Sequence, residues 1–556
     1  MLKLKLVFQL FLISSFKIWA ISVDSTQIAE GQQLFELNCG TCHNFKLDGI
    51  GPQLGGITQL VSAEWITKFI KNPQAVIDQK DARAMAQFKK FKAMMPAFDY
   101  LEEKEIKSLL AFIGTKAAPK PVSNDLNMPE ILDPIPQKIP LSDIVVKMEL
   151  FTSIPYSSQT KLHTRIVKMD FHPNTKENYV LDLNGKLYQL NDKQPIEYLN
   201  IAQYMPKFIN VPGLATGFGS FAFHPDFINN GLLYTTHSEA AGSAKADFDY
   251  ADSIKVAMQW VVSEWKTDNP KGIPFVGSQR ELFRVNMVNQ IHGVQEIAFN
   301  PNAKPNTPDY GLLYIGVGDG GCAEARYPLL AHDKSKIWGT VLRIDPKGRN
   351  SKNGKYGIPP SNPFSKNKNY LGEIYAMGFR NPHRFSWTKG GKLLVSNIGQ
   401  RQIESVNLVV TGSDFGWPLR EGTFMLNAAT NINKVYALPK DDKKYNFTYP
   451  VIQLDHDEMN AIAGGFEYQG SDLPQLKGKY VFSSILDGRL FYADERNLIN
   501  GKQAEIKEWK VSYNGDIVQF NQLTNNTRAD MRLGKDANGE LYIFTKPDGK
   551  IYKLTK

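Results

Sequence analysis

The sequence predicts a multidomain protein in which a small all-α domain precedes a large all-β domain built as a six-bladed propeller. Three observations support this fold class. Apolar residues recur at helical spacing between about residues 21 and 118. Six prolines crowd residues 119–140 and separate the two halves. From about 141 to 556, a pattern of two apolar strands around a turn occurs six times.

Size and composition agree with a globular protein of two or three domains. The chain has 556 residues, of which 42% are hydrophobic and 22% are charged. Its formal net charge is +9, and Lys3, Lys5 and Lys17 supply three of the positive charges at the N-terminus. No run of Lys and Arg is dense enough to indicate a nucleic-acid partner. We therefore expect small-molecule or protein partners.

Residues 1–20 have the pattern of a secretory signal peptide. Lys3 and Lys5 give a basic start, residues 6–16 are an apolar run, and Ile18-Trp19-Ala20 is a candidate cleavage site. The run is too short to span a bilayer as a mature helix. We expect a periplasmic protein without a transmembrane helix, and an uncleaved N-terminal anchor is the alternative.

The segment Cys39-Gly40-Thr41-Cys42-His43 carries the most specific motif of the chain. Two cysteines three positions apart, with a histidine directly after, form the attachment pattern of a c-type haem. The thiols add to the haem vinyl groups and His43 ligates the iron. A redox or metal-binding Cys-x-x-Cys with an incidental histidine is the alternative. We predict one covalent haem c and, since only three cysteines are present, no disulfide framework.

Three apolar stripes predict helices in residues 21–118. The stripes are Ile28, Leu34, Phe35 and Leu37 before Cys39; Trp65-Ile66 with Phe69-Ile70; and Ile106, Leu109, Leu110 and Ile113.

Further motifs follow the haem pentapeptide in a fixed order: Gly51-Pro52-Gln53-Leu54-Gly55, then Trp65 with Asn72-Pro73, then Met94-Met95-Pro96-Ala97-Phe98. In this order, residues 21–118 resemble a class I cytochrome c. The resemblance implies that Met95 is the distal iron ligand, with Met94 and Met85 as competing candidates. A thioether ligand raises the haem potential and favours electron transfer.

Residues 119–140 are predicted to be a linker, because their proline density favours a semi-rigid spacer. The six repeats follow in residues 141–556, with an alternative assignment as an array of β-sandwiches. Short strands punctuated by Gly and Pro favour a propeller whose blades are four-stranded antiparallel sheets. Uneven spacing predicts long inserts around 240–285 and 420–450. The copies are 169–173 with 185–188, 221–225 with 231–234, 297–301 with 311–314, 385–387 with 391–394, 465–468 with 478–481, and 531–533 with 539–542.

Several propeller motifs resemble the soluble glucose/sorbosone dehydrogenase family, whose propellers use pyrroloquinoline quinone (PQQ). The matching motifs are Phe221-Ala222-Phe223-His224-Pro225-Asp226-Phe227, Gly318-Asp319, Gly339-x-Val341-Leu342-Arg343, Gly378-Phe379-Arg380-Asn381-Pro382 and Gly412-x-x-Phe415-Gly416-Trp417-Pro418.

His292 and Asp319 are the candidate catalytic pair. His292 precedes a predicted strand at 296–299, and Asp319 follows another at 312–317. An imidazole is suited to take the proton of a sugar hydroxyl while hydride leaves carbon, and a carboxylate fixes its tautomer. A structural or surface role is the alternative for a lone histidine. The resemblance implies that His292 is the general base and that Asp319 supports it.

The remaining site assignments also follow from the resemblance. Arg380, as a catalytic and cofactor-binding residue, and Asn381 would hold the quinone oxygens, although Arg380 in a structural ion pair is the alternative. Arg528 would bind PQQ, with Arg532 as a weaker candidate. Backbone carbonyls of Gly399 and Gln400 would bind calcium beside the quinone.

The sequence departs from the family at three cofactor positions. Ala215 or Thr216 stands where the family has a glutamine, Leu486-Asp487 where it has a lysine, and Met459 where it has a threonine. Loss of the lysine removes a partner for one PQQ carboxylate. Arg489, Arg384 and Arg401 are candidates to replace it.

Two functions follow from these patterns. The first is a periplasmic quinohaemoprotein that oxidises a sugar or other alcohol with PQQ and passes electrons through haem c to the respiratory chain. The second is a cytochrome carrier fused to a non-catalytic propeller that binds a glycan or a protein. Cys322, near Asp319 in sequence, is either a buried inert thiol or a thiol close to the quinone.

Overall fold

The computed structural model describes residues 24–40, 42–91, 94–120, 128–159, 162–191, 194–211, 215–429 and 431–556. The expected signal peptide at 1–20 and Thr41 of the haem motif lie outside the described residues. Within the described part, no helix is long and apolar enough to cross a membrane.

The N-terminal domain is helical, as predicted. Its helices are α1 (Ser25–Asn38), α2 (Ile57–Leu60), α3 (Ala63–Lys71), α4 (Pro73–Asp78), α5 (Ala82–Phe91) and α6 (Glu103–Gly114).

Side-chain caps mark where these helices begin. The Asp24 carboxylate accepts the amide of Thr26 before α1, and Ser62 and Asn72 cap α3 and α4 in the same way. Glu102 and Glu105 form a capping box at the start of α6. The sequence therefore specifies these boundaries locally.

Helices α1 and α6 pack closely at Gly31. A Cβ atom there would lie 1.8 Å from the carbonyl oxygen of Ser108, so only glycine allows this approach. Phe35, Ile106 and Leu109 are buried at the contact. Leu37, which the predicted stripe included, is instead 41% exposed, because it lies on the outer face of α1.

The C-terminal domain is built of strands. Strands of the first half are β1 (Leu141–Ser153), β2 (Ile166–Phe171), β3 (Asn178–Asp182), β4 (Lys186–Asn191), β5 (Gln194–Asn200), β6 (Phe218–Phe223), β7 (Leu232–Ala240), β8 (Met258–Lys266), β9 (Ser278–Met287), β10 (Glu296–Phe299), β11 (Leu313–Val317), β12 (Thr340–Ile344) and β13 (Ile374–Met377). Strands of the second half are β14 (Pro382–Trp387), β15 (Leu393–Asn397), β16 (Ile403–Val409), β17 (Arg420–Glu421), β18 (Phe424–Asn427), β19 (Asn431–Tyr436), β20 (Ile452–Asp455), β21 (Ile462–Glu467), β22 (Lys479–Ser484), β23 (Leu490–Asp494), β24 (Lys507–Tyr513), β25 (Asp516–Ile517), β26 (Met531–Lys535), β27 (Leu541–Thr545) and β28 (Lys550–Thr555).

Short helical turns interrupt the connections between these strands. They are α7 (Phe227–Asn230), α8 (Phe520–Leu523) and the 3₁₀ segments Ile201–Gln203, Pro328–His332, Asp442–Tyr445, Pro474–Leu476 and Glu495–Asn497.

The strands form six antiparallel blades, which confirms the predicted all-β propeller. Four blades are β2–β5, β6–β9, β10–β13 and β14–β15–β16–β20. The fifth is β21–β24, and the sixth is β26–β27–β28 completed by β1. Met148 of β1 pairs with Leu554 of β28, so the first strand of the domain closes the ring onto its last. Strand β1 also pairs in parallel with β24, which joins the fifth and sixth blades.

Five of the six repeat copies coincide with the first two strands of a blade. The first copy is wrong, because residues 185–188 lie in and beside β4, the third strand, and β3 intervenes. The range 240–285, predicted to be an insert, contains β8 and β9, the third and fourth strands of the second blade, and only the connections 241–257 and 267–277 lie outside these strands. The insert predicted at 420–450 contains a separate three-stranded sheet, β17–β18–β19.

The described part of the proline-rich segment lies against the propeller. Ile131 forms a β-bridge with Val435 of β19, and Glu130 pairs with Lys434 at 2.6 Å. The amide of Ile135 donates to the Asp455 carboxylate. Residues 128–140 are thus attached to the sheets of the fourth blade and its insert.

Candidate active site and haem site

The backbone around His43 prepares this residue for iron ligation. His43 Nδ1 lies 2.7 Å from the carbonyl oxygen of Pro52, which fixes the ring and leaves Nε2 as the ligating nitrogen. A Cβ on Gly51 would lie 2.3 Å from His43 Cε1, so glycine is required beside the imidazole. These contacts give a physical reason for the Gly51-Pro52 motif.

The other expected haem contacts come from residues of the same domain. Cys39 and Cys42 are free thiols at the end of α1 and just after it. Met95 packs against the apolar core of the domain, whereas Met85 is 44% exposed. The donor set Cys39, Cys42, His43 and Met95 therefore fits a covalent haem with two axial ligands.

The propeller places its functional residues at one edge of the ring. In an antiparallel blade, the start of the first strand and the end of the second lie at the same edge. His292 precedes β10 and Asp319 follows β11, while Arg380 precedes β14 and Gln400 follows β15. Residues that are far apart in sequence therefore meet on one face.

His292 and Asp319 form the predicted pair. His292 Nδ1 lies 2.6 Å from Asp319 Oδ1, and both side chains are buried. His292 has a positive φ of 52°, a backbone conformation that few histidines adopt. This contact fixes one imidazole nitrogen and leaves Nε2 to act as a base.

Asp319 is held as an anion by its surroundings. Its carboxylate also accepts the Gly321 amide at 2.9 Å and the Trp417 indole N–H at 3.1 Å. Burial raises the pKa of Asp319, but the charges of His292 and Arg380 and the hydrogen bonds lower it by more. The pKa of Asp319 therefore lies below its usual value. An ionised Asp319 can orient His292 and stabilise its protonated form.

Arg380 has an acceptor at each guanidinium nitrogen. Nε donates to Gln400 Oε1 at 2.6 Å, Nη1 to the Gly399 carbonyl at 2.6 Å, and Nη2 to Glu324 Oε1 at 2.8 Å. The side chain is 2% exposed. Arg380 therefore acts within the site through the effect of its positive charge on Asp319 and through its hydrogen bonds to residues 399 and 400.

The contacts of Arg380 also bear on the calcium site predicted at Gly399 and Gln400. The Gly399 carbonyl, one of the two expected calcium ligands, already accepts the positively charged guanidinium of Arg380. A second cation at that oxygen would meet like charge. The Gly399–Gln400 loop in this arrangement does not fit calcium.

A cationic cluster lies at the same edge, formed by the buried residues Arg165, Arg532 and Lys546 and the half-buried Arg528. Arg528 precedes β26 and Lys546 follows β27, so both lie where a blade presents its site residues. Arg528 pairs with Asp530 at 3.1 Å. Burial lowers the pKa of Lys546 to about 7, since Asp530 only partly offsets the effects of burial and of the neighbouring cations.

Polar atoms in and beside this cluster lack hydrogen-bond partners. Among the described residues, Arg528 Nε, Arg532 Nε and His383 Nε2 are buried without a hydrogen-bond partner. Each such group costs about 1–3 kcal/mol if it stays unpaired. Burial and the charges of Arg384, Arg532, Lys546 and His292 lower the pKa of His383 well below its usual value. His383 Nδ1 lies 3.3 Å from Oε1 of Gln295, three residues along the chain from His292.

Sequence analysis missed two residues of this site, Lys546 and Gln295. Gln295 donates to the Ala215 carbonyl at 3.4 Å and accepts from Asn381 at 3.4 Å. Ala215 stands where the family has a glutamine, so Gln295 brings a glutamine amide to this place from another loop. Lys546 supplies a buried amine from the sixth blade. Neither residue belongs to a recognisable motif.

The arginines proposed to replace the missing lysine have other partners. Arg489 pairs with Glu458 and Glu508, and Arg384 pairs with Glu296 at 3.3 Å. Arg401 turns towards the helical domain. Met459, at the position expected for the family threonine, is buried in an apolar core, and Asp487, near the position expected for the lysine, is exposed.

Comparison with known families identifies both domains. The glucose / sorbosone dehydrogenase family model matches residues 165–553, and the cytochrome c model matches residues 28–116. The chain belongs to the glucose / sorbosone dehydrogenase family. It joins a propeller of that family to a cytochrome c domain.

Curated relatives include sugar dehydrogenases and proteins of other kinds. Quinoprotein glucose dehydrogenase B of Acinetobacter calcoaceticus is 25% identical over 228 residues, 38% of this chain and 42% of that protein. Aldose sugar dehydrogenase YliI of Escherichia coli strain K12 is 25% identical over 251 residues, 44% of this chain and 57% of that protein. Human Hedgehog-interacting protein is 24% identical over 409 residues, 68% of this chain and 48% of that protein. The chain spans about half the length of the curated relatives it matches.

A solved structure of a glucose dehydrogenase shares the propeller fold. It aligns with a TM-score of 0.50 and 17% identity, and covers 70% of this chain and 96% of that chain. At this identity the match concerns the fold of the glucose / sorbosone dehydrogenase domain alone.

The thiol of Cys322 is buried and unreactive. Its side chain is 0% exposed and lies 3.8 Å from the Tyr250 hydroxyl. Burial and the charge of Asp319 raise the pKa of Cys322 well above its usual value. A protonated, enclosed thiol is a poor nucleophile, which favours the inert role over reaction with a quinone.

We predict that a thiol reagent such as Ellman's reagent finds no reactive cysteine in the native holoprotein and one per chain after denaturation. Cys322 is enclosed in the native protein, and haem attachment converts Cys39 and Cys42 to thioethers. The variant Cys322→Ala should give none in either state. Three thiols in the denatured wild type would contradict covalent attachment of haem.

Proposed function

We propose that this protein is a PQQ-dependent sugar dehydrogenase that oxidises an aldose or a related alcohol and passes the electrons to its own haem c. The observation that carries the proposal is the buried His292–Asp319 pair at 2.6 Å beside a cluster of cationic side chains in which, among the described residues, Arg528 Nε and Arg532 Nε have no hydrogen-bond partner. The first feature suits removal of a hydroxyl proton, and the second suits a multiply anionic cofactor.

His292 acts as the general base in this proposal. Its Nδ1–H donates to Asp319, so the lone pair of Nε2 accepts the proton of the sugar hydroxyl. Asp319 stays ionised and stabilises the imidazolium that results. The positive charge of Arg380 helps to keep Asp319 ionised, and its guanidinium donates hydrogen bonds to Gln400 and Glu324.

The residues that would hold PQQ are those of the cationic cluster. Arg528, Arg532 and Lys546 offer charge to its three carboxylates, and Arg528 Nε and Arg532 Nε have unused donors. Asn381 and Gln295 supply amides beside His292. When bound, PQQ supplies the two-electron acceptor for the hydride that leaves the sugar carbon. The name of the related quinoprotein glucose dehydrogenase supports this assignment.

The electron balance requires the haem to be reduced twice for each substrate molecule oxidised. Oxidation of CH–OH to C=O releases two protons and two electrons, whereas a haem held by Cys39, Cys42, His43 and Met95 would accept one electron at a time. Two successive reductions of the haem are needed, each followed by reoxidation by an external acceptor such as another cytochrome or an oxidase. We place this chain of transfers in the periplasm, as the N-terminal pattern predicts.

A non-catalytic binding propeller is the second candidate. The observation that favours it is the match to Hedgehog-interacting protein, whose name describes binding. The absence of the family lysine at Asp487 and of the threonine at Met459 agrees with it. The retained His292–Asp319 pair favours the enzyme.

The decisive experiment follows the haem spectrum. Purified holocytochrome is titrated with PQQ, mixed anaerobically with a panel of aldoses and alcohols, and monitored for reduction of haem. We expect reduction that requires both PQQ and substrate. In His292→Asn, the rate should fall by roughly 10²–10⁴-fold, because the proton acceptor is lost.

The control for His292→Asn is chemical reduction of the haem by dithionite, which should be unchanged. PQQ binding to this variant should also persist, since His292 lies outside the cationic cluster. Absence of PQQ binding by the wild type together with no haem reduction across the panel would favour the binding propeller.

The buried lysine gives PQQ binding a pH dependence. Lys546 is protonated below a pKa of about 7 and neutral above it, and an anionic ligand favours the protonated form. Affinity should therefore fall as pH rises from 7 to 9, by up to about tenfold per pH unit. Quenching of protein fluorescence by PQQ measures the dissociation constant.

The variant Lys546→Met should bind PQQ more weakly below pH 7 and should lose the slope above it. Lys502→Met, at an exposed site, is the matched control and should keep the wild-type profile. A wild-type affinity that is flat from pH 6 to 9, or a slope retained in Lys546→Met, would remove Lys546 from the binding site.

A further inference from the structure

The segment from Gly399 to Ile403 lies between the two sites of the protein. At its start, the Gly399 carbonyl and the Gln400 side chain hold Arg380, the arginine that acts on the catalytic pair. One residue further, Arg401 Nη1 donates to the carbonyl oxygens of Gly49 and Ile50 in the helical domain. Neighbouring residues of one loop thus contact the catalytic site and the cytochrome.

The partner of Arg401 is the haem-attachment loop itself. Gly49 and Ile50 directly precede Gly51, which packs against the His43 ring. The Gly51 amide also donates to the carbonyl of Cys42. A displacement of residues 49–50 therefore acts on both the proximal histidine and a haem-bound cysteine.

Arg401 is suited to a permanent contact. Its side chain is 8% exposed, and its guanidinium lies 4.5 Å from the centre of the Phe91 ring of α5. Asn433 of β19 adds a hydrogen bond to the Asp48 carbonyl, and Gln400 donates to Asn433 at 3.1 Å. The contact joins side chains of the propeller to backbone carbonyls of the cytochrome.

Glu421 fixes the propeller side of this contact. Its Oε1 accepts the backbone amides of residues 400, 401, 402 and 403 at 2.7–3.1 Å. The carboxylate thus holds the whole loop in one conformation, so that Arg380 and Arg401 have a common rigid support.

We propose that Arg401 is a positioning residue that docks the haem-attachment loop on the propeller, so that the haem receives its electrons in this fixed arrangement. The proposal rests on the proposed function for the source of the electrons. In this proposal a defined contact, in addition to the semi-rigid linker, sets the position of the haem relative to the propeller. Arg401 touches neither substrate nor reacting atoms and acts through the loop at 49–50.

The test separates docking from catalysis. Arg401→Gln removes the charge but keeps a side chain of similar reach, and Arg401→Lys keeps the charge without the planar fork. Arg496→Gln, at a side chain that is 85% exposed, is the matched control. In each protein, substrate-driven reduction of the haem and of a small artificial dye are measured separately in the presence of PQQ.

In Arg401→Gln, the rate of haem reduction should fall about tenfold or more, because small displacements of reacting partners have large effects on rate. Dye reduction by Arg401→Gln should be unchanged. The rate of haem reduction in Arg401→Lys should lie between those of the wild type and Arg401→Gln. Hydrogen–deuterium exchange of the peptide that contains residues 44–56 should rise in Arg401→Gln and stay at the wild-type level in Arg496→Gln.

These readouts distinguish the two proposals. If substrate reduces neither dye nor haem in the wild type, the proposed function fails, and the exchange data still report on docking. If the wild type reduces both, but Arg401→Gln keeps the wild-type ratio of haem to dye reduction and unchanged exchange, the positioning role of Arg401 is overturned.

Discussion

The pairing of β1 with β28 is the interaction on which the rest of the structure depends. It joins the first strand of the propeller to its last and fixes six blades around one axis. Each blade then presents the start of its first strand and the end of its second at the same edge. His292, Asp319, Arg380, Arg528 and Lys546 reach one site only because the ring is closed.

The chemistry of that site depends on how charge is buried. Asp319 is an enclosed carboxylate that stays ionised because His292, Arg380 and two N–H donors compensate it. In the nearby cationic cluster, the positive side chains outnumber the carboxylates that could compensate them, and Lys546 has a pKa of about 7. Such an excess of buried positive charge is unfavourable without an anion, and it agrees with the lack of a partner for Arg528 Nε and Arg532 Nε among the described residues.

Much of this could be predicted from sequence where a local pattern carries the information. The haem pentapeptide, the caps and stripes of the helices, and the Gly318-Asp319 and Arg380-Asn381 motifs are contiguous. The first repeat copy was placed wrongly, because β3 and β4 are both short and apolar. Lys546 and Gln295 were missed because ring closure alone brings them to the site. The contact of Arg401 with Gly49 and Ile50 joins segments about 350 residues apart and leaves no local signal.

The central claim is that electrons from the substrate reach the haem within a single chain. Stopped-flow mixing of the PQQ-loaded protein with saturating substrate, at protein concentrations that span two orders of magnitude, tests it most directly. We expect haem reduction to be first order with a rate constant independent of protein concentration. A rate constant that rises in proportion to protein concentration would show transfer between molecules and would contradict the account.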